Sequence, residues 1–174
     1  SEIVDFRSMI LVERETSERV LTQVKAVDEN YPLMGEVNLF DDVILSDALQ
    51  KRKGLPGAVI EKILVDRLDL KLGDTFKLGQ AQFYLGGVIK TIPDNGSDGF
   101  GLGPRTIVYT NDLEGSGLLT PGTLFSTKYR LDLKENINLD LISKTAVEKF
   151  ETTGMRWKDA RNAAPGISEF VRRL

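Results

Sequence analysis

An α+β fold, with a mixed and largely antiparallel sheet packed with helices, is what this sequence predicts, and three observations predict it. β-Prone runs fill most of the first thirty residues, a strand-helix-hairpin pattern occupies 58–90, and from Asn138 the apolar spacing changes to helical. The 174 residues suffice for one domain, or two small closely packed lobes, with a real core. At 41% hydrophobic and 28% charged, the composition is that of a chain that folds.

Residues 3–13 and 18–28 read as two strands, and the polar stretch Arg14-Glu15-Thr16-Ser17 as the hairpin connection between them. In the second run Val20, Thr22, Val24 and Ala26 share one face and Leu21, Gln23, Lys25 and Val27 the other, as a half-buried strand requires. Tyr31-Pro32 and Gly35 then punctuate the chain before a short apolar run, Val37 to Phe40. Residues 41–57 read as a connector with one helical turn. From Ala58 a short strand leads into a helix with Ile63, Leu64, Arg67 and Leu68 on one stripe. Thr75–Leu78 and Phe83–Lys90 follow as a strand pair, with Gly86-Gly87 marking a bulge or a close backbone approach. Residues 93–105 have loop composition. Thr106–Tyr109 reads as a buried strand, Asn111–Glu114 as a capped single-turn helix stopped by Gly115 and Gly117, and Leu124–Leu133 as a long strand with Phe125, Thr127, Tyr129, Leu131 and Leu133 on one side. A helix from 139 to 153 carries Leu139, Ile142, Ala146 or Val147, and Phe150, with Gly154 as its stop. A last helical piece from about Pro165 bears Ile167, Phe170, Val171 and Leu174; still apolar at its final residue, it reads as continuing beyond Leu174.

Residue inventory narrows the function classes. With a formal charge of −3 and basic residues scattered along the chain, there is no nucleic-acid footprint. No cysteine means no disulfide, thiolate metal site or cysteine nucleophile, and no histidine removes the usual neutral-pH base and the commonest zinc ligand. Carboxylate pairs, Ser-Lys arrangements and carboxylate metal sites are the chemistries left. No run of 18 apolar residues and no signal-peptide pattern occurs, so either the chain works in the cytosol or its targeting segment lies outside these residues.

Each sharper motif has a plainer reading. Asp28, Glu29 and Tyr31 could form a polar recognition site, but Asp-Glu-Asn before Tyr-Pro is ordinary turn chemistry. Gly99-x-Gly101-x-Gly103 leads through Pro104 into a strand, where a phosphate loop needs a helix N-terminus. Asp94, Asn95 and Asp98 lack the closing glutamate of a calcium loop. Ser143-Lys144, adjacent on a helix, point in different directions. Trp157, flanked by Arg156, Lys158 and Arg161, suits either a headgroup-level anchor or the packed base of the last helix. No catalytic, cofactor-binding or metal-binding residue is therefore assigned, and no ligand-binding residue is singled out.

Several segments in order resemble a known family. Val59-x4-Leu64-x3-Leu68-x-Leu70-Lys71-Leu72-Gly73-Asp74, then Leu78-Gly79, Phe83 and Gly87-Val88-Ile89, resemble the core of MacB-like periplasmic domains in ABC-transporter permeases of the MacB, LolC and FtsX type. Val24-Lys25-Ala26-Val27-Asp28-Glu29-Asn30-Tyr31-Pro32-Leu33, Gly103-Pro104-Arg105, Asp112-Leu113-x3-Gly117-Leu118-x2-Pro121-Gly122 and Arg156-Trp157-Lys158-Asp159-Ala160-Arg161 are similar to the YbbP-like permeases within that group. The resemblance implies one periplasmic (extracytoplasmic) domain, 1–174, with a porter-like lobe of about 1–40 plus 105–174 and a β-rich lobe of 41–104. Family permeases carry more sequence before the first strand. The domain is expected to be non-catalytic and without a cofactor of its own. It would sit between transmembrane helices flanking both ends and couple ATP hydrolysis at a separate cytoplasmic ATP-binding subunit to periplasmic movement. A lipophilic substrate or a periplasmic partner would be handled there. A free-standing binding or adaptor module is the alternative, and a carboxylate-dependent hydrolase the least favoured reading.

Overall fold

The computed structural model describes residues 1–93, 103–133 and 137–159, which fall into two units, Ser1–Leu131 and Asp132 onward, each treated by itself. In the first unit β1 (Glu2–Val12) and β2 (Glu18–Val27) form the hairpin that alternation predicts, in register from Ile3 opposite Val27 to Val12 opposite Glu18. β3 (Asn38–Leu39) is followed by a 3-10 turn at Phe40–Asp42 and by α1 (Leu45–Leu49). β4 (Gly57–Glu61) feeds α2 (Lys62–Arg67), and β5 (Thr75–Leu78) and β6 (Ala81–Thr91) make the second hairpin. β7 (Arg105–Tyr109) and β8 (Phe125–Tyr129) complete the sheet. The class is α+β with mixed strand directions, as expected.

Six strands close on themselves. β1 pairs antiparallel with β2, β2 parallel with β7, β7 antiparallel with β4, β4 parallel with β6, β6 antiparallel with β5, and β5 antiparallel with β1. A ring leaves its member strands few open edges. It also joins β4, β5 and β6, read from sequence as a lobe of their own, to β1, β2 and β7 in one sheet. Inside lie Val4, Phe6, Ile10, Val24, Ile60, Leu78, Phe83 and Leu85, with Phe76 and Phe83 stacked at a centroid distance of 6.1 Å. A second core containing Ile3, Val27, Val59, Ile89 and Ile107 packs on the other side of the sheet with Leu45, Ala48 and Leu49 of α1.

Gly86 links the two cores. Leu85 pairs with Ala58 and Gly87 with Val59, so Gly86 is the extra residue of a bulge. The insertion switches the alternation of β6: Phe83 and Leu85 point into the first core, while beyond the bulge Val88 packs there and Ile89 joins the second. A Cβ on Gly57 or Gly86 would run into the carbonyl oxygen of Ala48, so the two glycines let α1 lie directly on the sheet. Tyr84 then ties the end of α1 down, its hydroxyl donating to the Gln50 carbonyl at 2.6 Å. Gly86-Gly87 was legible in sequence as a bulge or a close approach, whereas the role of Gly57 was not. Residues 41–57, expected as a connector with one helical turn, supply that turn as α1, which packs directly on the sheet.

Other elements depart from their sequence reading. β2 is buried on both faces from Thr22 onward, because β1 and β7 flank it and the second core covers its outer side. In α2 the inward stripe is Leu64, Val65 and Leu68, with Ile63 left 66% exposed. A 3-10 turn at Thr110–Leu113 replaces the capped helix at 111–114 and has no side-chain cap; Gly115 and Gly117 behind it do take the left-handed conformation. β8 spans five residues instead of the ten expected, and its Phe125-Thr127-Tyr129 face is the exposed one.

In the second unit α3 (Leu139–Phe150) starts where the Asn138 side chain accepts hydrogen bonds from the backbone N–H groups of Asp140 and Leu141. A short 3-10 extension, Glu151–Thr153, ends at Gly154 with φ 74°, the stop that the sequence implied. None of the residues of α3 is buried. The helical piece predicted from Pro165 lies outside the described residues.

Candidate functional surface

Polar groups inside the first unit hold structure together. Thr22 of β2 and Thr106 of β7, diagonal neighbours in the ladder, share a hydrogen bond at 2.8 Å, and the Thr22 hydroxyl also lies 3.1 Å from the Pro104 carbonyl. On the outer face of β1, buried Asp5 receives Lys128 of β8 at 3.0 Å and sits across from Lys25 of β2, whose ammonium lies 5.6 Å from the centre of the Tyr31 ring. Lys128, Asp5 and Lys25 line up across three strands, a row that was not singled out from sequence. Its one signal was a carboxylate in an otherwise apolar run, Ile3-Val4-Asp5-Phe6. Arg105 lies 3.7 Å from Glu61, and Lys51 lies 3.0 Å from Asp112.

Of the residues weighed from sequence, Asp28 is a turn anchor. It accepts from the Ser1 hydroxyl, the Glu2 amide and the Asn30 amide. Burial works against its ionisation, but those hydrogen bonds and the nearby terminal ammonium outweigh it and hold the carboxyl below its usual range. Glu29 is exposed, and Tyr31 is buried in the second core. Burial pushes the phenols of Tyr84 and Tyr109 up; Arg52 partly opposes this at Tyr84, and the carboxylates of Glu29, Asp112 and Asp47 add to it at Tyr109. None of these groups is paired as nucleophile and base. Lys144 reaches Glu148 at 3.9 Å along α3, away from any partnership with Ser143. Trp157 is half-buried and its ring N–H donates to Asp159 at 3.4 Å, while Arg156 is exposed; Arg161 lies outside the described residues. The glycine-rich stretch with Asp94, Asn95, Asp98, Gly99 and Gly101 also lies outside them. Among the described residues no cluster of three Asp or Glu side chains could hold a metal ion.

What the surface does offer is apolar. On and around β8, Leu124 is 92% exposed, Leu131 63%, Tyr129 59% and Phe125 47%. In the second unit Leu141, Val147 and Phe150 of α3 are open to solvent as well. Scattered exposed apolar residues are normal, but several along one five-residue strand and its flanks make this stretch the candidate contact surface. No described helix is long and apolar enough to cross a membrane.

The architecture is that of a known class of domain. The periplasmic region of MacB from Actinobacillus actinomycetemcomitans superposes with a TM-score of 0.56 at 13% identity, covering 100% of this chain and 76% of that one. The extracellular domain of the noncanonic ABC-type transporter YknZ from Gram-positive bacteria gives 0.52 at 17% identity over 89% of this chain and 76% of its own. The chain thus has the MacB-like periplasmic-domain fold. In sequence it is similar to a particular permease, the uncharacterised ABC transporter permease YbbP of Escherichia coli, at 29% identity over 116 residues. That match takes in 67% of this chain and 14% of the permease's length. No family model matches the chain.

Proposed function

We propose that this chain is an extracytoplasmic, non-catalytic domain of an ABC transporter permease. The observation that carries the reading is the sequence similarity to the YbbP permease across two thirds of the chain, and the likeness of fold to the extracytoplasmic regions of MacB and YknZ supports it. The domain would be flanked by transmembrane helices of its own polypeptide. ATP would be hydrolysed by a separate cytoplasmic subunit, and this domain would move in response, acting on a lipophilic substrate or a periplasmic partner through exposed apolar surface such as that around β8. A closed ring suits such a part, because a packed core transmits displacement as a rigid body.

The chain has no cysteine, which makes its sidedness directly measurable. With Leu124→Cys, 92% exposed in the native residue, placed in the full-length protein freed of other cysteines, a membrane-impermeant maleimide should label intact spheroplasts as strongly as lysed ones. Labelling that appears only after lysis would overturn the extracytoplasmic assignment.

A further inference from the structure

β8 has one paired edge and one open edge among the described residues. Among those residues its only strand partner is β1, through Glu2 opposite Tyr129, Val4 opposite Thr127 and Phe6 opposite Phe125. Ser1 and Arg130 exchange both backbone hydrogen bonds, at 2.9 and 2.8 Å. In an antiparallel ladder hydrogen-bonded and non-hydrogen-bonded pairs alternate, so Lys128 and Ser126 bond to β1, while the backbone N–H and C=O groups of Phe125, Thr127 and Tyr129 point outward from the sheet. Natural edge strands are protected by being short, by charged side chains such as lysine, by proline or by bulges. Here the lysine of the strand, Lys128, is drawn to the β1 side by Asp5 at 3.0 Å, and there is no proline between Phe125 and Tyr129.

We infer that the open edge of β8 pairs antiparallel with β8 of a second copy of this chain, about a two-fold axis at Thr127. The strand is self-complementary in that register. Thr127 meets Thr127 of the other copy and Phe125 meets Tyr129, and these are the residues whose backbone groups point outward. Every outward N–H and C=O is thereby satisfied, as an isologous contact requires. The same register sets Phe125 and Tyr129, 47% and 59% exposed in the single chain, against each other as a cross-strand aromatic pair on both sides of the axis. Charge selects the register too. Lys128 falls opposite Ser126 and Arg130 opposite Leu124, whereas a shift that centres the axis on Lys128 opposes two ammonium groups, and one centred on Tyr129 opposes Lys128 to Arg130. The inference rests on β8 alone and does not depend on the transport reading.

Single cysteines in the 174-residue chain test it without background, since the native chain has none. Hydrogen-bonded antiparallel partners have Cα atoms about 5.5 Å apart, within disulfide reach. Thr127→Cys should therefore form a covalent dimer under mild oxidation at least about tenfold faster than Tyr129→Cys, whose symmetry mate is four residues out of register and beyond disulfide reach. In sedimentation the unmodified chain should associate as its concentration rises. Thr127→Pro, which removes an outward N–H and leaves the β1 ladder intact, should stay monomeric with unchanged near-UV circular dichroism. Equal cross-linking rates for the two cysteines, faster cross-linking of Tyr129→Cys, or an unmodified chain that stays monomeric to millimolar concentration would each overturn the inference.

Discussion

β2 and β8 flank the same strand, β1, on its opposite edges, and both are short alternating runs, yet their environments differ. β2 is buried on both faces over its second half, whereas no residue of β8 is buried. The helices repeat the contrast. The six residues of α2 bury Leu64 and Val65, and the twelve of α3 bury none. Alternation or helical spacing thus states that an element has an apolar side, and a neighbour beyond it decides whether that side is core. β2 has β7 beyond it and the second core above it; β8 has no second strand among the described residues.

Substitutions can break that comparison, beginning in the ring. Phe83, fully buried and stacked on Phe76, should cost about 3–5 kcal/mol when replaced by alanine, through lost burial and the cavity left behind. Urea unfolding followed by circular dichroism would read this as a lower midpoint at unchanged slope. Gly86→Ala should cost about 1–3 kcal/mol in the same assay, because the new methyl meets the rigid carbonyl of Ala48. Its damage should also reach α1, seen as faster amide exchange at Ala48 and Leu49, both now fully buried. The smallest effect belongs to the exposed side of the comparison. Leu141→Ser on α3, where the leucine is 64% exposed, should change stability by no more than about 0.5 kcal/mol. A loss of 2 kcal/mol or more there would mean that the α3 face is covered in solution and would erase the contrast with α2.

Much of the first unit was legible in the sequence because its contacts are local. The β1–β2 hairpin follows from two β-prone runs joined by four polar residues, and the β4–α2–β5–β6 series from one change of period and two glycine-bearing turns. Gly86-Gly87 announced a close approach, and Asp28 behaved as turn chemistry. Illegible were the partners of those features. The helical turn in 41–57 was expected, but five residues are too few to show which face packs and on what, and the row of Lys128, Asp5 and Lys25 was hidden because its members stand 20 and more positions apart in the chain. The environment of the β8 face was undecided for a related reason: Phe125, Tyr129 and Leu131 have the spacing of a core face whether or not a core lies against them.

By itself the sequence determined the local elements and the chemistry open to the chain. Side-chain spacing sets the period of an element, and a residue inventory without histidine or cysteine removes whole reaction classes before any folding occurs. The tertiary structure alone decided the closure of six strands into a ring, the parallel pairings of β2 with β7 and β4 with β6, and which apolar faces are buried. Pairing between distant strands is made by backbone groups that every residue carries alike, so its partners are not written in residue type. They are selected by which closed arrangement buries the most apolar surface while satisfying those groups, and that is a property of the whole chain at once.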